Sequence, residues 1–253
     1  MPPKPKSAPK EDVVCMPSKG GLVCVNAPEE KVARDPHTIE ELAKGAKQKN
    51  TRASRIATEF DQGLKFILKY PRSVTFYGSA RFKPSTPHYK DARTLAYKLS
   101  KLGYSIVTGG GPGIMEAANR GAMEAGGPSI GLNIKLPREQ ILNPYTTDSL
   151  SFYYFFSRKT TMSFSAEAYI FYPGGFGTLD EFFELVTLIQ TGKIRRIPVL
   201  LVGSDFWNPL EEFIMNACWR AHGAIDKKDA DLFHITDDHD EIIRIIVKQP
   251  IRY

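Results

Sequence analysis

Cysteine is scarce in this 253-residue chain. Cys15, Cys24 and Cys218 are too few and too scattered for a disulfide framework, and Cys15 and Cys24 lack the paired spacing of a zinc site. Long apolar runs are missing as well, and no segment approaches membrane-spanning length. The early lysines are not followed by an apolar stretch, so no secretory signal is expected and the cytoplasm is the default compartment. A strong charge of one sign is also lacking. The net charge is +6; residues 1–70 hold 13 Lys and Arg against 9 Asp and Glu, and the remainder holds 21 against 19. The globular part is therefore close to neutral, and neither nucleic acid nor a membrane is expected as a partner.

What is present suits a soluble globular protein, with 42% hydrophobic and 25% charged residues. Residues 1–50 are rich in Pro, Lys, Ala and Glu and poor in large apolar side chains. They cannot bury enough surface to offset chain entropy, which predicts a mostly disordered tail. An N-terminal helix is expected over 51–71, with Ile56, Phe60, Leu64, Ile67 and Leu68 on one face and Pro71 as its stop. From 72 to 253 strand and helix patterns alternate. Strands are expected at 74–77, 105–108, 129–133, 168–172 and 198–202. Helices are expected at 89–102, 114–125, 155–165, 209–222 and 241–247, with another carrying Phe182, Leu185, Leu188 and Ile189. Residues 137–151 read as irregular. This is the pattern of an α/β protein, a Rossmann-like doubly wound parallel sheet with helices on both faces. Such sheets bind ligands at the carboxyl ends of their strands, where three glycine-bearing loops fall.

The most informative of these is Pro173-Gly174-Gly175-Phe176-Gly177-Thr178-Leu179-Asp180-Glu181, between an apolar strand and a helical run. Strand, glycine turn and helix together aim backbone N–H groups and the positive helix end at an anion. Glu181 is placed within the first helical turn, where an ordinary carboxylate is a helix-dipole partner. Beside a phosphate-sized anion that charge is costly, which hints at catalysis. Gly109-Gly110-Gly111-Pro112-Gly113 fits neither the dinucleotide-binding nor the P-loop spacing, and a plain turn is a fair alternative. Its place between strand and helix favours ligand contact, with Gly110 as the contacting residue. Ser79 after the first core strand is a donor to a ligand or a small turn residue, and Glu116 has a dipole or packing role. Arg158-Lys159 follows the aromatic run 152–156. Such a pair is usually a solvated helix face, but it lies one helix and one strand before Glu181, so an arginine there reaches the same strand end. Arginine suits a bidentate grip on an anion.

Taken together, Gly109 to Glu116, Arg158-Lys159 and Pro-Gly-Gly-x-Gly-Thr-x-x-Glu at 173–181 resemble the LOG ("Lonely guy") family over roughly residues 72–247. These are nucleoside 5′-monophosphate phosphoribohydrolases, often mislabelled lysine decarboxylases. The long N-terminal region and the aromatic residues with Ser157 ahead of Arg158 look more like the longer bacterial subgroup. The resemblance implies a Rossmann-like fold, a homodimer or higher homo-oligomer with the site at the interface, and cleavage of the bond between base and ribose 5-phosphate. It matches Arg158 and Glu181 to the catalytic pair. Gly174, Gly175, Gly177 and Thr178 match the phosphate loop, and Glu139, Lys159 and Thr187 match further substrate contacts.

The chemistry is physically coherent. Breaking a ribosyl C–N bond builds oxocarbenium-like charge on the sugar, which a carboxylate stabilises while it orients or deprotonates the attacking water. Glu181 takes that role, and Arg158 holds the geometry and binds phosphate. Glu139 is a speculative acid for the leaving base. No cofactor or metal is called for. Two other readings compete: a non-catalytic nucleotide-binding or carrier protein on the same scaffold, and a pyridoxal-phosphate decarboxylase. The last needs a Schiff-base lysine that nothing nominates.

Overall fold

The computed structural model describes residues 13–18, 21–26, 51–135 and 142–251. The chain divides into two units, Met1–Ala53 and Ser54–Tyr253. In the first, β1 (Val13–Ser18) and β2 (Gly21–Asn26) pair antiparallel, with Val14 opposite Val25 and Cys15 opposite Cys24. Composition gives no hint of this hairpin, but its valines are the β-branched residues that strands favour. The rest of the expected tail lies outside the described residues, as does Glu139.

The second unit is built on seven parallel strands. These are β3 (Ser73–Tyr77), β4 (Ser105–Thr108), β5 (Ser129–Ile134), β6 (Asp148–Phe152), β7 (Ala168–Phe171), β8 (Val199–Leu201) and β9 (His234–Ile235). Their spatial order is β6-β5-β4-β3-β7-β8-β9. The helices are α1 (Arg52–Ile67), α2 (Pro87–Lys101), α3 (Ile114–Glu124), α4 (Phe155–Ser163), α5 (Phe176–Gln190), α6 (Ser204–Phe213) and α7 (His239–Val247). Strands β3, β4, β5, β7 and β8 are buried at every position because helices cover both faces. Tyr77, Ile130, Tyr169 and Phe171 pack with Phe66 and Ile67 of α1, Met162 of α4, and Phe182 and Leu185 of α5. On the other face Val74, Phe76, Ile106 and Ile170 meet Leu95 and Leu99 of α2, Ala118 of α3, and Ile242 and Ile246 of α7. The doubly wound expectation is met.

Three elements differ from the sequence reading. β6 lies in the stretch expected to be irregular. It has one strand neighbour, β5, and its polar sequence Asp-Ser-Leu-Ser-Phe gives no apolar run. β9 is a two-residue edge strand too short to leave a pattern. The helix expected from Pro209 begins at Ser204, so Pro209 sits inside α6 rather than at its start. Gly203, at φ 98°, turns the chain into α6, and the Asp237 carboxylate accepts hydrogen bonds from the N–H groups of Gly203 and Ser204. The helix then widens into a π-helical stretch, Ile214–Ala221.

The site follows from the strand order. β3 and β7 lie side by side at the centre, and the chain leaves them in opposite directions, toward β4 and toward β8. Loops diverging from neighbouring strand ends leave a crevice between them.

Candidate active site

At this divergence lies a cleft of about 610 Å³. It is lined by the ends of β3 and β4, by α4 and by the start of α5. The β3 end is held shut from below: the Ser79 N–H donates to the Pro173 carbonyl at 3.0 Å, and the Ile114 N–H donates to the Ser79 carbonyl at 3.0 Å. Ser79 lines the cleft, but its hydroxyl already accepts from the Arg81 N–H at 3.1 Å. Gly113, at φ 72°, is forced, since a Cβ there would lie 2.2 Å from the Ser79 carbonyl oxygen. Buried Asn119 braces the loop between β4 and α3 by accepting from the hydroxyl of Thr108 and the amide of Asn143, which also donates to the Gly111 carbonyl.

That loop gives the cleft Gly109 rather than the expected Gly110. Gly110, at φ 71°, turns toward Leu142, and its carbonyl accepts from the Asn143 N–H. A Cβ on Gly109 would lie 2.3 Å from a guanidinium nitrogen of Arg158, so glycine there makes room for the arginine. Arg158 is not on a solvated face. Its Nε donates to the Leu132 carbonyl at 2.7 Å, and Nη1 lies 3.8 Å from Glu181 Oε1. The two side chains are only 12% and 11% exposed. Burial lowers the Arg158 pKa, opposed by the charge of Glu181.

Glu181 falls one turn later than expected. Because α5 starts at Phe176, the carboxylate sits in the second turn, on the face toward the cleft. It accepts no hydrogen bond from another described residue. Burial pushes its pKa up to about 7; the charges of Arg158 and Lys159 pull the other way and do not cancel it. Desolvation outweighs attraction because the ion pair is long at 3.8 Å. A carboxyl poised near neutrality is a group suited to proton transfer.

The start of α5 is bare. Gly175 is its N-cap with no side-chain cap, and no acidic residue occupies the first turn. Gly175, Gly177 and Thr178 line the cleft, whereas Gly174 does not. Glycine at 174 has a packing cause, since a Cβ would lie 2.1 Å from the Thr178 hydroxyl. At 175 and 177 a Cβ would meet no protein atom. Their glycines leave space over uncapped helix N–H groups, an arrangement suited to an anion.

Lys159 lines the cleft while its ammonium lies 2.8 Å from Asp180 and 3.2 Å from Glu184. Burial alone would lower its pKa, but the hydrogen bonds to the two carboxylates prevail and raise it. Thr187 is exposed two turns further along α5 and does not reach the cleft. Glu116 packs as expected, accepting from the Tyr89 hydroxyl of α2 at 2.7 Å. Phe155 and Phe176 stand at the cleft with their rings largely exposed, Phe176 by 93%.

One residue with a part in this geometry leaves no signal in the sequence. Glu59 of α1 accepts from the N–H groups of Tyr153 and Tyr154 at 2.7 and 3.2 Å, and from the Ser157 hydroxyl at 2.6 Å. It caps α4, which has no side-chain cap of its own at Tyr154. Gly63 lets α1 approach α4, since a Cβ there would lie 2.3 Å from the Thr161 hydroxyl. A lone glutamate on a helix surface, 94 residues away in sequence, gives no pattern to read.

The family model described as "Possible lysine decarboxylase" matches residues 115–246, which carry Arg158 and the whole 173–181 segment. A probable cytokinin riboside 5′-monophosphate phosphoribohydrolase of Oryza sativa subsp. japonica is 33% identical over 153 residues, 59% of this chain and 71% of that protein. The chain belongs to the LOG family. A bacterial LOG-family relative, the cytokinin riboside 5′-monophosphate phosphoribohydrolase of Rhodococcoides fascians, is 28% identical over 58% of this chain and 76% of its own. Two solved structures share the fold. One is a structural-genomics X-ray structure at TM-score 0.55 and 24% identity, covering 70% of this chain and 99% of that one. The other is the molybdenum cofactor binding protein of Rippkaea orientalis, at TM-score 0.52 and 21% identity, covering 69% and 93%.

Among the described residues no group of three or more His, Cys, Asp or Glu is disposed to hold a metal ion. No described helix is long and apolar enough to cross a membrane.

Proposed function

We propose that this LOG-family chain hydrolyses the N-glycosidic bond of a purine nucleoside 5′-monophosphate, AMP or an N6-modified, cytokinin-type analogue, to free base and ribose 5-phosphate. The observation that carries the reading is the buried Glu181 carboxyl, pushed up to about 7, beside buried Arg158 and one turn past an uncapped glycine-rich helix start. In this reading the 5′-phosphate takes the N–H groups of α5 at Gly175, Gly177 and Thr178. The ribose then lies over the second turn, against Glu181. The ionised carboxylate stabilises positive charge growing on the anomeric carbon and accepts a proton from the attacking water. Arg158, locked to the Leu132 carbonyl, fixes the carboxylate and adds a cation toward the phosphate. The names of the relatives support the same substrate class.

Lys159 does not suit a Schiff-base role, since two carboxylates hold it as an ammonium. A nucleotide carrier has no evident use for a carboxyl buried at the cost of its charge. Incubation with a panel of nucleoside monophosphates, followed by chromatography for released base, tests the reading directly. Wild type is expected to release adenine from AMP, and Glu181→Gln to lose about 10²- to 10⁴-fold in rate while still binding nucleotide. Full activity in Glu181→Gln would end the assignment, and nucleotide binding without release by wild type would favour the carrier.

A further inference from the structure

Five charged side chains meet where α4 faces α5, and the proposed hydrolysis uses only two of them. Arg158 and Lys159 come from α4; Asp180, Glu181 and Glu184 come from α5. Asp180 directly precedes Glu181, and Glu184 follows it by three residues, which sets those two carboxylates side by side on the helix. Lys159 takes the flanking pair. Its ammonium lies 2.8 Å from Asp180 Oδ2 and 3.2 Å from Glu184 Oε2, and its side chain is only 21% exposed. The Glu184 oxygen facing it is hidden from water, so its charge is weakly screened.

Charge counting shows what this bridge does for Glu181. With Glu181 ionised, three carboxylates face two cations and leave one net negative charge; with Glu181 protonated, the cluster is neutral. Without Lys159 each state carries one more negative charge, and the protonated form gains. The individual charges act in the same sense: Arg158 and Lys159 favour the ionised carboxyl, and Glu184 and Asp180 oppose it. Tyr77 of β3 also lies within electrostatic reach, but burial holds its phenol well above its ordinary pKa, so it stays neutral. We propose that Lys159 is a positioning residue that acts through Glu181: by neutralising the two flanking carboxylates, it lets Glu181 ionise near neutral pH. A lysine bridging two carboxylates is occupied, which sets this role apart from a grip on substrate.

The test moves the charge in both directions. The Glu181 carboxyl carbon, assigned with Glu181→Gln, is titrated by ¹³C NMR in wild type, Lys159→Met, Lys159→Arg and Glu184→Gln. Lys159→Met is expected to raise the midpoint by about one pH unit, and Glu184→Gln to lower it, while Lys159→Arg keeps the wild-type value. If Lys159 merely braced the two helices, loosening them would admit water and lower the midpoint instead. A midpoint lowered or unmoved in Lys159→Met would therefore overturn the proposal. Should that variant not fold, a midpoint that fails to drop in Glu184→Gln would overturn it. The role rests on the reading that turnover needs Glu181 ionised, so the acid limb of kcat/KM is expected to follow each midpoint. A limb that stays put in an active protein would overturn the proposal. Midpoints that move as expected in a protein that releases no base would sink the hydrolase reading alone.

Discussion

At the scale of single residues, the proposed chemistry rests on the competition between desolvation and attraction at Glu181. Attraction alone would hold the carboxyl below its ordinary value beside an arginine; burial prevails and pushes it up to about 7. Only the ionised form can steady positive charge or accept a proton. kcat/KM for a nucleoside monophosphate is therefore expected to rise with pH through about 7 and level above it, which a pH–rate profile checks. Arg158 is tied at one nitrogen to a backbone carbonyl and aimed with another at Glu181. Arg158→Lys keeps the charge but has no second fixed donor, so base release is expected to fall by roughly 10²-fold in single-turnover measurements with little change in melting temperature. Arg158 and Glu181 were both legible as candidates. Their burial and the room left by Gly109 were not, because neither exposure nor a neighbour 49 residues away is written in a local pattern.

At the scale of elements, the start of α5 and the cap of α4 do the positioning. Glycines 174 and 175 stand side by side in one motif with different causes. Gly174→Ala drives a Cβ into Thr178, whereas Gly175→Ala meets no protein atom. Gly175→Ala is therefore expected to change stability by less than about 1 kcal/mol while weakening phosphate binding, as titration with inorganic phosphate would show. Glu59 acts at the other helix. Glu59→Ala removes the acceptor for two N–H groups and a hydroxyl, which is expected to cost about 1–2 kcal/mol in chemical denaturation. It should also slow base release, because α4 carries Arg158. Helices and strands rich in apolar residues were readable because burial imposes a period. The polar edge strand β6 and the cap supplied by α1 were not, since each exists only through a partner distant in sequence.

At the scale of the whole molecule, burying Glu181 links folding to pH. Its folded pKa of about 7 exceeds the ordinary 4.5, so the folded state binds this proton more tightly. The stability associated with that proton is full below about 4.5 and is lost as pH rises through about 7. Glu181→Gln removes the loss. Its stability relative to wild type is expected to grow by about 3 kcal/mol between pH 4.5 and pH 8, measured by urea unfolding. The exposed rings of Phe155 and Phe176 at the cleft are suited to burial against a second copy, in keeping with the homodimer or higher homo-oligomer the family resemblance implies. Light scattering after gel filtration is expected to give at least twice the chain mass of 28.3 kDa.

The sequence by itself determined the alternation of strand and helix, the glycine turn before α5, and the presence of an arginine and a glutamate near it. These are local properties, fixed by side-chain period and by backbone freedom. Tertiary structure alone decided which of the candidates share a cleft: it brought in Gly109, turned Gly110 away, and left Thr187 outside. It also set the proton affinity of Glu181, since desolvation depends on what the rest of the chain packs around a charge.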